Sequence, residues 1–316
     1  MLPSVLQRST TDHVPVLADE ARRLLAVRPG ETVVDCTFGA GGHAVLLAAD
    51  LQGRGRYIAI DRDPSVKEYY ESFKRGAGGL QTRLLRGEFS LVLEQLAAND
   101  VEADAILIDL GVSSMQLDRP ERGFSYATDA PLDMRMDPSA DLTAADLVNE
   151  STEKELADIF KRYGEERYAR QIARAIVRSR PLETTFELVD VIKSSIPAPA
   201  RFGSGHPAKR VFQALRIAVN DELGSLEAAL PAALDMLRPG GRLAVISFHS
   251  LEDRIVKTFM RDAEGGCTCP PDFPVCVCGN EPTMRAVSRR PIRPSADEIA
   301  LNPRAASARM RVGVKV

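Results

Sequence analysis

The sequence lacks any apolar run long enough to cross a membrane. A membrane-spanning helix needs about 20 consecutive, mostly apolar residues, and the 316 residues contain no such stretch. Residues 1–12 are polar and have no hydrophobic core of the kind that secretory signal peptides carry. These absences argue against a membrane or secreted protein and predict a cytoplasmic one.

A strong net charge is also missing, since the formal charge is only -3 at neutral pH. The whole-chain charge therefore does not indicate a nucleic-acid partner, but its distribution does. Residues 161–180 and 281–316 are rich in Lys and Arg, whereas residues 129–158 are acidic. Such segregation builds a basic face on an acidic protein. For either basic run alone, an ordinary solvated face is the simpler interpretation.

Cysteine is scarce outside one short stretch, which contains four of the five: Cys267, Cys269, Cys276 and Cys278. In a cytoplasmic chain, clustered cysteines indicate metal or redox chemistry before disulfides. Two Cys-x-Cys pairs match a zinc site less well than the usual Cys-x-x-Cys spacing. We predict no catalytic metal, and the stretch leaves open a structural zinc or four reduced thiols that pack a loop.

Four short apolar runs predict buried strands, at residues 32–34, 57–60, 105–108 and 243–246. The runs do not alternate with polar residues, which is typical of parallel strands buried on both faces. The segment between the first two runs is rich in Ala and Leu and predicts a helix. This order of strand, helix and strand predicts a doubly wound α/β sheet.

The pattern changes to loop and helices from about residue 117 to residue 210. Capping boxes that begin at Thr152 and Thr184 predict two helix starts, and Gly164 is a candidate C-cap. The final residues alternate apolar and basic side chains, which predicts a half-buried strand with a basic outer face, paired with residues 284–287. We therefore predict a sheet domain in two parts, residues 1–118 and 214–316, around an inserted helical domain at 119–213.

The end of the first strand carries the first candidate binding site. Asp35 ends the strand, and Gly39, Gly41 and Gly42 follow before the predicted helix. Glycines at this point let the backbone approach a ligand at the helix N-terminus. A dinucleotide-binding loop places its first glycine almost directly after the strand, but here it comes four residues after the acid. An acid at Asp35 suits the ammonium of a bound amino acid, which favours S-adenosylmethionine over a pyrophosphate.

Two further residues fit an adenosine. Asp61 ends the second strand, where a carboxylate can bind both ribose hydroxyls, although Asp61 also fits an ordinary turn. Phe89 follows the third strand and is placed to pack on adenine, although a lone Phe is more often part of a core. The glycine loop before Asp61 favours the ribose role.

Nine motifs together resemble the bacterial 16S rRNA cytosine-N4 methyltransferases, and they follow the family order over nearly the whole chain. They are residues 37–43 (TFGAGGH), 59–64 (AIDRDP), 109–114 (DLGVSS), 122–126 (RGFSY), 131–138 (PLDMRMDP), 163–167 (YGEER), 212–219 (FQALRIAV), 247–254 (SFHSLEDR) and 302–305 (NPRA). The resemblance implies a Rossmann-like class I methyltransferase sheet with an inserted helical domain that recognises RNA.

The same resemblance implies a substrate and a set of cofactor contacts. The expected substrate is a cytidine in the decoding region of 16S rRNA within the small ribosomal subunit, and a homodimer is left open. The expected contacts with S-adenosylmethionine are Gly41, Gly42, His43, Asp61, Phe89, Asp109 and Gln116.

Asp109 ends the fourth strand and is the main catalytic candidate. The exocyclic amine of cytosine is a weak nucleophile, so an acceptor for its protons would help methyl transfer. Many amino-methyltransferases carry Pro-Pro and an aromatic residue after this acid, but here Leu110 and Gly111 follow. Asp109 is therefore a candidate for either the amine acceptor or a cofactor contact. Methylation of carbon 5 needs a cysteine thiolate, and Cys36 is the only cysteine in the sheet region, which favours nitrogen.

Two weaker candidates complete the predicted site. His249 follows the fifth strand and could assist proton removal; in the alternative, Ser250 caps the next helix and His249 is merely packed. A polar stripe on one helix face is a candidate for RNA contact, although an ordinary solvated face is the default for such a stripe. The stripe consists of Lys209, Gln213, Arg216 and Asn220.

Three other functions compete with methyl transfer to RNA. A nicotinamide-dependent oxidoreductase is disfavoured by Asp35 and by the lack of an evident hydride-transfer site. A non-catalytic ribosome-assembly factor is disfavoured by the intact cofactor loop. A DNA amino-methyltransferase is disfavoured by the missing Pro-Pro motif.

Overall fold

A computed structural model describes residues 15–201, 206–265 and 281–316. The chain forms two compact units, one of residues 1–111 with 224–316 and one of residues 112–223. The predicted inserted domain had narrower bounds, 119–213. None of the helices in the described ranges is long and apolar enough to span a membrane. The four clustered cysteines, Cys267, Cys269, Cys276 and Cys278, lie outside the described residues.

Seven strands form one sheet, in the order β3-β2-β1-β4-β5-β7-β6. The first five are parallel, and β7 runs antiparallel to both of its neighbours. The strands are β1 Thr32–Asp35, β2 Arg56–Asp61, β3 Gln81–Arg86, β4 Ala103–Asp109, β5 Leu237–Ser247, β6 Met284–Ala286 and β7 Arg309–Lys315. The predicted doubly wound α/β sheet and its four buried strands are thus confirmed.

The helices follow the chain in three groups. Before the fourth strand ends come α1 Ala18–Leu25, α2 Gly42–Leu51, α3 Val66–Gly76 and α4 Phe89–Ala98. The second unit contains α5 Ser114–Leu117, α6 Ala144–Glu150, α7 Glu153–Gly164, α8 Ala169–Ser179, α9 Thr185–Ser195, α10 Ala198–Arg201 and α11 Lys209–Asn220. The last group is α12 Glu222–Met236, α13 Ser250–Ala263 and α14 Ala296–Leu301.

The central strands are buried, and helices α1, α4 and α13 contact the sheet. All four residues of β1 are buried, whereas the edge strand β3 alternates between exposed and partly buried positions. The carboxyl ends of β1, β2, β4 and β5 lie side by side at one edge. In a doubly wound sheet this edge is where ligands bind, and it brings Asp35, Asp61 and Asp109 into one region.

The C-terminal strand differs from its prediction on one point. Its antiparallel pairing with residues 284–286 is confirmed, but the expected basic outer face is wrong for Arg311, which is only 8% exposed. Arg311 Nε donates to Asp253 Oδ1 at 2.7 Å, and Arg309 Nη1 donates to Asp253 Oδ2 at 3.1 Å. Lys315 Nζ donates to the carbonyl of Leu234 at 2.9 Å. Because β7 lies inside the sheet, its basic side chains bind protein groups.

The helical unit has its own hydrophobic core, to which α6, α7, α8, α9 and α11 contribute. The capping boxes at Thr152 and Thr184 are confirmed. Gly164 is the last helical residue rather than the C-cap, since Glu165 adopts the left-handed conformation with φ of 48°. A Cβ at Gly164 would lie 2.5 Å from the Arg210 carbonyl oxygen of α11. This glycine is needed for close packing of two helices and not for the turn.

Candidate functional site

The loop between β1 and α2 brings its backbone close to neighbouring groups. Gly41 has φ of +79°, and a Cβ there would lie 2.9 Å from the Phe38 ring. A Cβ at Gly42 would lie 3.2 Å from the ring of Pro15. Glycine suits both positions, at Gly41 because of the backbone conformation and at Gly42 because of limited space. The loop therefore leaves little room for side chains at the start of α2, and its role in binding a cofactor stays a prediction.

Asp61 joins this loop to the end of β2. Its Oδ2 accepts a hydrogen bond from the Gly39 amide at 2.8 Å, and its Oδ1 accepts one from the Asp63 amide at 2.9 Å. Burial raises the pKa of Asp61 to about 6, against the effect of these two hydrogen bonds. A carboxylate has about four acceptor positions, so Asp61 retains capacity for ribose hydroxyls. That role stays a prediction.

Asp35 lies deeper than the sequence suggests, with 1% of its surface exposed. Its Oδ2 accepts a hydrogen bond from the Tyr57 hydroxyl at 2.9 Å, and its Oδ1 accepts one from the Thr37 amide at 3.2 Å. Burial raises the pKa of Asp35 to about 6, and the charge of His43 and these hydrogen bonds oppose the shift. Asp35 thus holds the start of the loop through the Thr37 amide. Its contact with a cofactor ammonium stays a prediction.

Asp109 and His43 face each other across the carboxyl edge. The Asp109 amide donates to Thr37 Oγ1 at 2.7 Å, and Asp109 Oδ2 lies 3.5 Å from His43 Nε2. Among the described residues, His43 Nε2 and Asp109 Oδ1 are buried and have no hydrogen-bond partner. Buried polar atoms are rarely left unsatisfied in native proteins. These two atoms therefore mark a place where a ligand can supply partners.

The charge of His43 depends on its neighbours. Burial lowers the pKa of His43, but the interaction with Asp109 and the charges of Asp35 and Glu298 outweigh burial, so the pKa is raised. Acidic groups on β1, β4 and α14 thus shift the imidazole toward its cationic form relative to a free histidine.

Phe89 and the preceding acid form the start of α4. Phe89 is the first helical residue and belongs to the hydrophobic core of the sheet unit. The Glu88 side chain caps the helix by accepting hydrogen bonds from the amides of Ser90 and Leu91. The position of Phe89 after β3 agrees with the predicted one, and its packing on adenine stays a prediction.

His249 is the N-cap of α13, so the expectation that Ser250 caps this helix is wrong. His249 Nδ1 accepts from the Glu252 amide at 3.4 Å, and Glu252 Oε2 accepts from the Phe248 amide at 2.7 Å. His249 Nε2 lies 3.1 Å from Glu252 Oε1. The imidazole therefore serves a capping box, which supports the packed alternative; catalysis by His249 stays a prediction.

Three members of the predicted polar stripe bind groups within the helical unit. Asn220 Oδ1 accepts from the Met136 amide at 2.7 Å, and Gln213 Nε2 donates to the Tyr163 carbonyl at 2.9 Å. Arg216 makes two hydrogen bonds to the Glu222 carboxylate, at 2.7 and 3.0 Å. Lys209 is exposed. The structure thus gives Gln213, Arg216 and Asn220 structural partners, and their contact with RNA is an untested prediction.

Gln116 also belongs to the helical unit. It is buried, and its Oε1 accepts a hydrogen bond from the Ser113 amide at 3.0 Å. This bond closes the first turn of the short helix α5. The expected contact of Gln116 with the cofactor stays a prediction.

Exposed basic side chains of the helical unit lie on several helices, and α8 carries three of them. The basic run at residues 161–180 is divided between two helices, because α7 ends at Gly164 and α8 begins at Ala169. Arg170, Arg174 and Arg178 are exposed and recur every fourth residue, so they share one helix face. We call these three residues the α8 arginine face. The opposite face of α8 is buried in the unit's core.

Sequence reasoning missed two residues that organise the site. Tyr57 lies in an apolar strand run, where a Tyr is expected to pack, yet its hydroxyl binds Asp35. Thr37 follows β1 and its hydroxyl holds the Asp109 amide, 72 residues further along the chain. Thr37 carried a sequence signal, because it lies two residues after Asp35, whereas Tyr57 lies 22 residues after Asp35 and carried none. Within the described ranges, no three or more His, Cys, Asp or Glu side chains are grouped to hold a metal.

Comparisons with known proteins cover almost the whole chain. A model of the MraW methylase family matches residues 10–316. The ribosomal RNA small subunit methyltransferase H of Heliobacterium modesticaldum is 52% identical over 310 residues, covering 96% of this chain and 98% of the relative. The protein of the same name from Symbiobacterium thermophilum is 53% identical over 315 residues, covering 96% of both. A solved SAM-dependent O-methyltransferase from Thermotoga maritima has a TM-score of 0.42 at 10% identity, covering 98% of this chain and 69% of that one.

Proposed function

This chain belongs to the MraW methylase family, and from that premise we propose that it methylates the exocyclic N4 of a cytidine in the decoding region of 16S rRNA. The family match confirms the methyltransferase activity and the S-adenosylmethionine cofactor expected from the sequence. Names of relatives that specify the small-subunit rRNA support the choice of substrate. We propose that the substrate is the assembled small ribosomal subunit in the cytoplasm.

The proposal depends above all on the unpaired oxygen of Asp109. Its Oδ1 is buried and has no protein partner among the described residues, at the strand edge where ligands bind in this fold. A carboxylate that accepts a hydrogen bond from the N4 amine localises the nitrogen lone pair and takes up a proton as the new bond forms. Asp109 is held for this role by Thr37 and His43.

The cofactor would be held by the loop and by the ends of β2 and β3. Gly41 and Gly42 offer close backbone approach, Asp61 offers a carboxylate to the ribose, and Phe89 lies where an adenine ring would pack. S-adenosylmethionine supplies a methyl group on a sulfonium, which is already activated for transfer. The protein's own task is therefore to orient the two reactants and to accept a proton.

The state of Cys36 supports nitrogen rather than carbon as the methyl acceptor. Carbon-5 methylation would need a thiolate that adds to the base. Cys36 is 1% exposed, and burial together with the nearby Asp35 raises its pKa well above the ordinary value. A buried, neutral thiol is a poor nucleophile, and among the described residues Cys36 is the only free cysteine.

The test compares Asp109→Asn with the wild type in single turnovers on small subunits from cells that lack the enzyme. We expect Asp109→Asn to lose about 100-fold or more in rate, because the amide cannot accept the proton. Mass spectrometry of the rRNA should locate the wild-type methyl group on cytosine N4. Asp100→Asn removes an exposed carboxylate and serves as the matched control.

Three outcomes would count against the assignment. A normal rate for Asp109→Asn would exclude Asp109 as the proton acceptor. Weak cofactor binding with normal chemistry at saturation would make Asp109 a cofactor contact instead. A methyl group found on carbon 5 or on another nucleotide would exclude the proposed substrate.

A further inference from the structure

We propose that His43 is a positioning residue that orients the Asp109 carboxylate and directs its Oδ1 toward the acceptor amine. The inference rests on the proposed function, because it assigns Asp109 the role of proton acceptor. It goes beyond the sequence, which predicts for His43 only a contact with the cofactor. His43 would act through Asp109 and would not itself take the proton.

The two oxygens of Asp109 have different surroundings. Oδ2 lies 3.5 Å from His43 Nε2, whereas Oδ1 is buried and has no protein partner in the described part of the chain. The backbone of Asp109 is fixed separately by its hydrogen bond to Thr37 Oγ1. With the backbone held and Oδ2 attracted to the imidazole, rotation of the carboxylate is restricted, and Oδ1 is the oxygen that remains for a substrate.

His43 is itself firmly placed. It is the second residue of α2, directly after the close approach of Gly42 to Pro15. Its side chain is 9% exposed, so few other rotamers are open to it. His43 Nε2 has no hydrogen-bond partner among the described residues. A small movement can therefore shorten its distance to Asp109 Oδ2 once a ligand excludes water.

The charges around the pair explain why a cation is useful here. Acidic groups face His43 from three elements: Asp35 on β1, Asp109 on β4 and Glu298 on α14. Burial disfavours the ionised form of a carboxylate, as the raised pKa values of Asp35 and Asp61 illustrate, and the charges of neighbouring carboxylates add to the effect. When protonated, His43 stabilises the ionised form of the carboxylates around it.

The pairing can be tested without any methyl transfer. The chain has four histidines, so the His43 imidazole can be assigned by comparing NMR spectra of the wild type and His43→Gln. We expect the wild-type His43 midpoint to lie above the ordinary value of about 6.5, and to fall in Asp109→Asn. An unchanged midpoint in Asp109→Asn would overturn the pairing, whether or not the proposed reaction is correct.

The functional consequence needs single-turnover rates across pH at saturating cofactor. We expect His43→Gln to lower the maximal rate about tenfold through loss of orientation and to move the acid limb of the profile to higher pH. His43→Lys, which retains a cation, should restore the acid limb in part. His206→Gln, which alters a histidine of the helical unit, is the matched control and should retain the wild-type profile.

The outcomes separate this inference from the proposed function. A His43→Gln profile parallel to the wild type, with only a weaker cofactor affinity by calorimetry, would make His43 a cofactor contact and overturn the inference. If wild-type protein fails to methylate N4 of cytidine, the proposed function fails, and the NMR titration still decides the His43–Asp109 pairing.

Discussion

Three aspartates end neighbouring parallel strands, and their surroundings give each a different role. The buried Asp35 accepts a hydrogen bond from the Tyr57 hydroxyl, and Asp61 accepts one from the Gly39 amide of the loop. Asp109 has one oxygen without a protein partner among the described residues. Burial raises the pKa of both Asp35 and Asp61 to about 6. At the scale of single residues, substitutions of these acids should therefore have distinguishable effects.

Replacing Asp61 with Ala should weaken S-adenosylmethionine binding. If Asp61 binds the ribose as proposed, the change removes two charge-assisted hydrogen bonds, together worth on the order of 1.5–3 kcal/mol, or about 10- to 100-fold in affinity. Calorimetry on the folded variant measures this, with the exposed Glu94→Ala as control. Because Asp61 also binds the Gly39 amide, the fold of the variant must be checked by circular dichroism. Unchanged affinity would refute the ribose assignment.

Replacing Asp35 with Asn should flatten the pH dependence of stability. The pKa of Asp35 is raised from 3.8 to about 6, so the folded protein holds this proton more tightly than the unfolded chain. The group's contribution is fully present below pH 3.8 and is lost as pH rises through about 6. Between about pH 5 and pH 8 the loss is on the order of 1 kcal/mol.

Urea unfolding of the cofactor-free protein at about pH 5 and pH 8 measures this difference. In Asp35→Asn, the part of the pH dependence of stability that is due to Asp35 should disappear. The part due to the raised pKa of Asp61 should remain. An equal pH dependence in the variant and the wild type would show that Asp35 is not the group that titrates.

At the scale of elements, the packing of α7 against α11 depends on the absence of a side chain at Gly164. A Cβ at Gly164 would lie 2.5 Å from the Arg210 carbonyl oxygen, so the two helices cannot keep their present spacing with Ala there. Gly164→Ala should destabilise the helical unit by about 1–3 kcal/mol, the usual cost of overpacking. Urea unfolding measures this loss.

Gly240→Ala provides the contrast for Gly164→Ala. Gly240 has φ of +80°, and a Cβ there would have no atom within 4 Å, so Ala at this position costs about 1–2 kcal/mol through backbone strain alone. Gly164→Ala should also alter the packing of α7 on α11 itself, seen as NMR shift changes along α11. If those shifts do not move, close helix packing is not the reason for this glycine.

At the scale of the whole molecule, the helical unit is inserted into the sheet unit between β4 and α12. It carries the exposed α8 arginine face. Replacing Arg170, Arg174 and Arg178 with Gln should weaken binding to small ribosomal subunits. For each phosphate that the variant no longer binds, the slope of log affinity against log salt should fall by about 0.7–0.9. Cofactor affinity should not change.

Filter binding at salt concentrations between about 50 and 300 mM decides this prediction, because counterion release changes the affinity over such a range. The control replaces three exposed basic residues of α3 with Gln: Lys67, Lys74 and Arg75. Both triple variants lose the same charge, so an equal loss of affinity would indicate a general charge effect. An unchanged salt slope in the α8 variant would exclude the α8 arginine face from the RNA interface.

The sequence by itself determined the fold class, the helix starts at Thr152 and Thr184, and the acids at the strand ends. These features follow from local patterns: apolar runs predict buried strands, capping boxes set helix starts, and parallel strands place their carboxyl ends at one edge. The family motifs added the reaction and the expected cofactor contacts.

Only the tertiary structure decided which side chains meet. Thr37 and Asp109 are 72 residues apart in sequence, and no local pattern predicts that a hydroxyl of one would hold the other. The same holds for the pairing of His43 with Asp109 and for the burial of Arg311 against Asp253. Periodicity states whether a residue faces inward, but its partners depend on how distant elements pack, because contacts of a few ångströms are set by the fold as a whole.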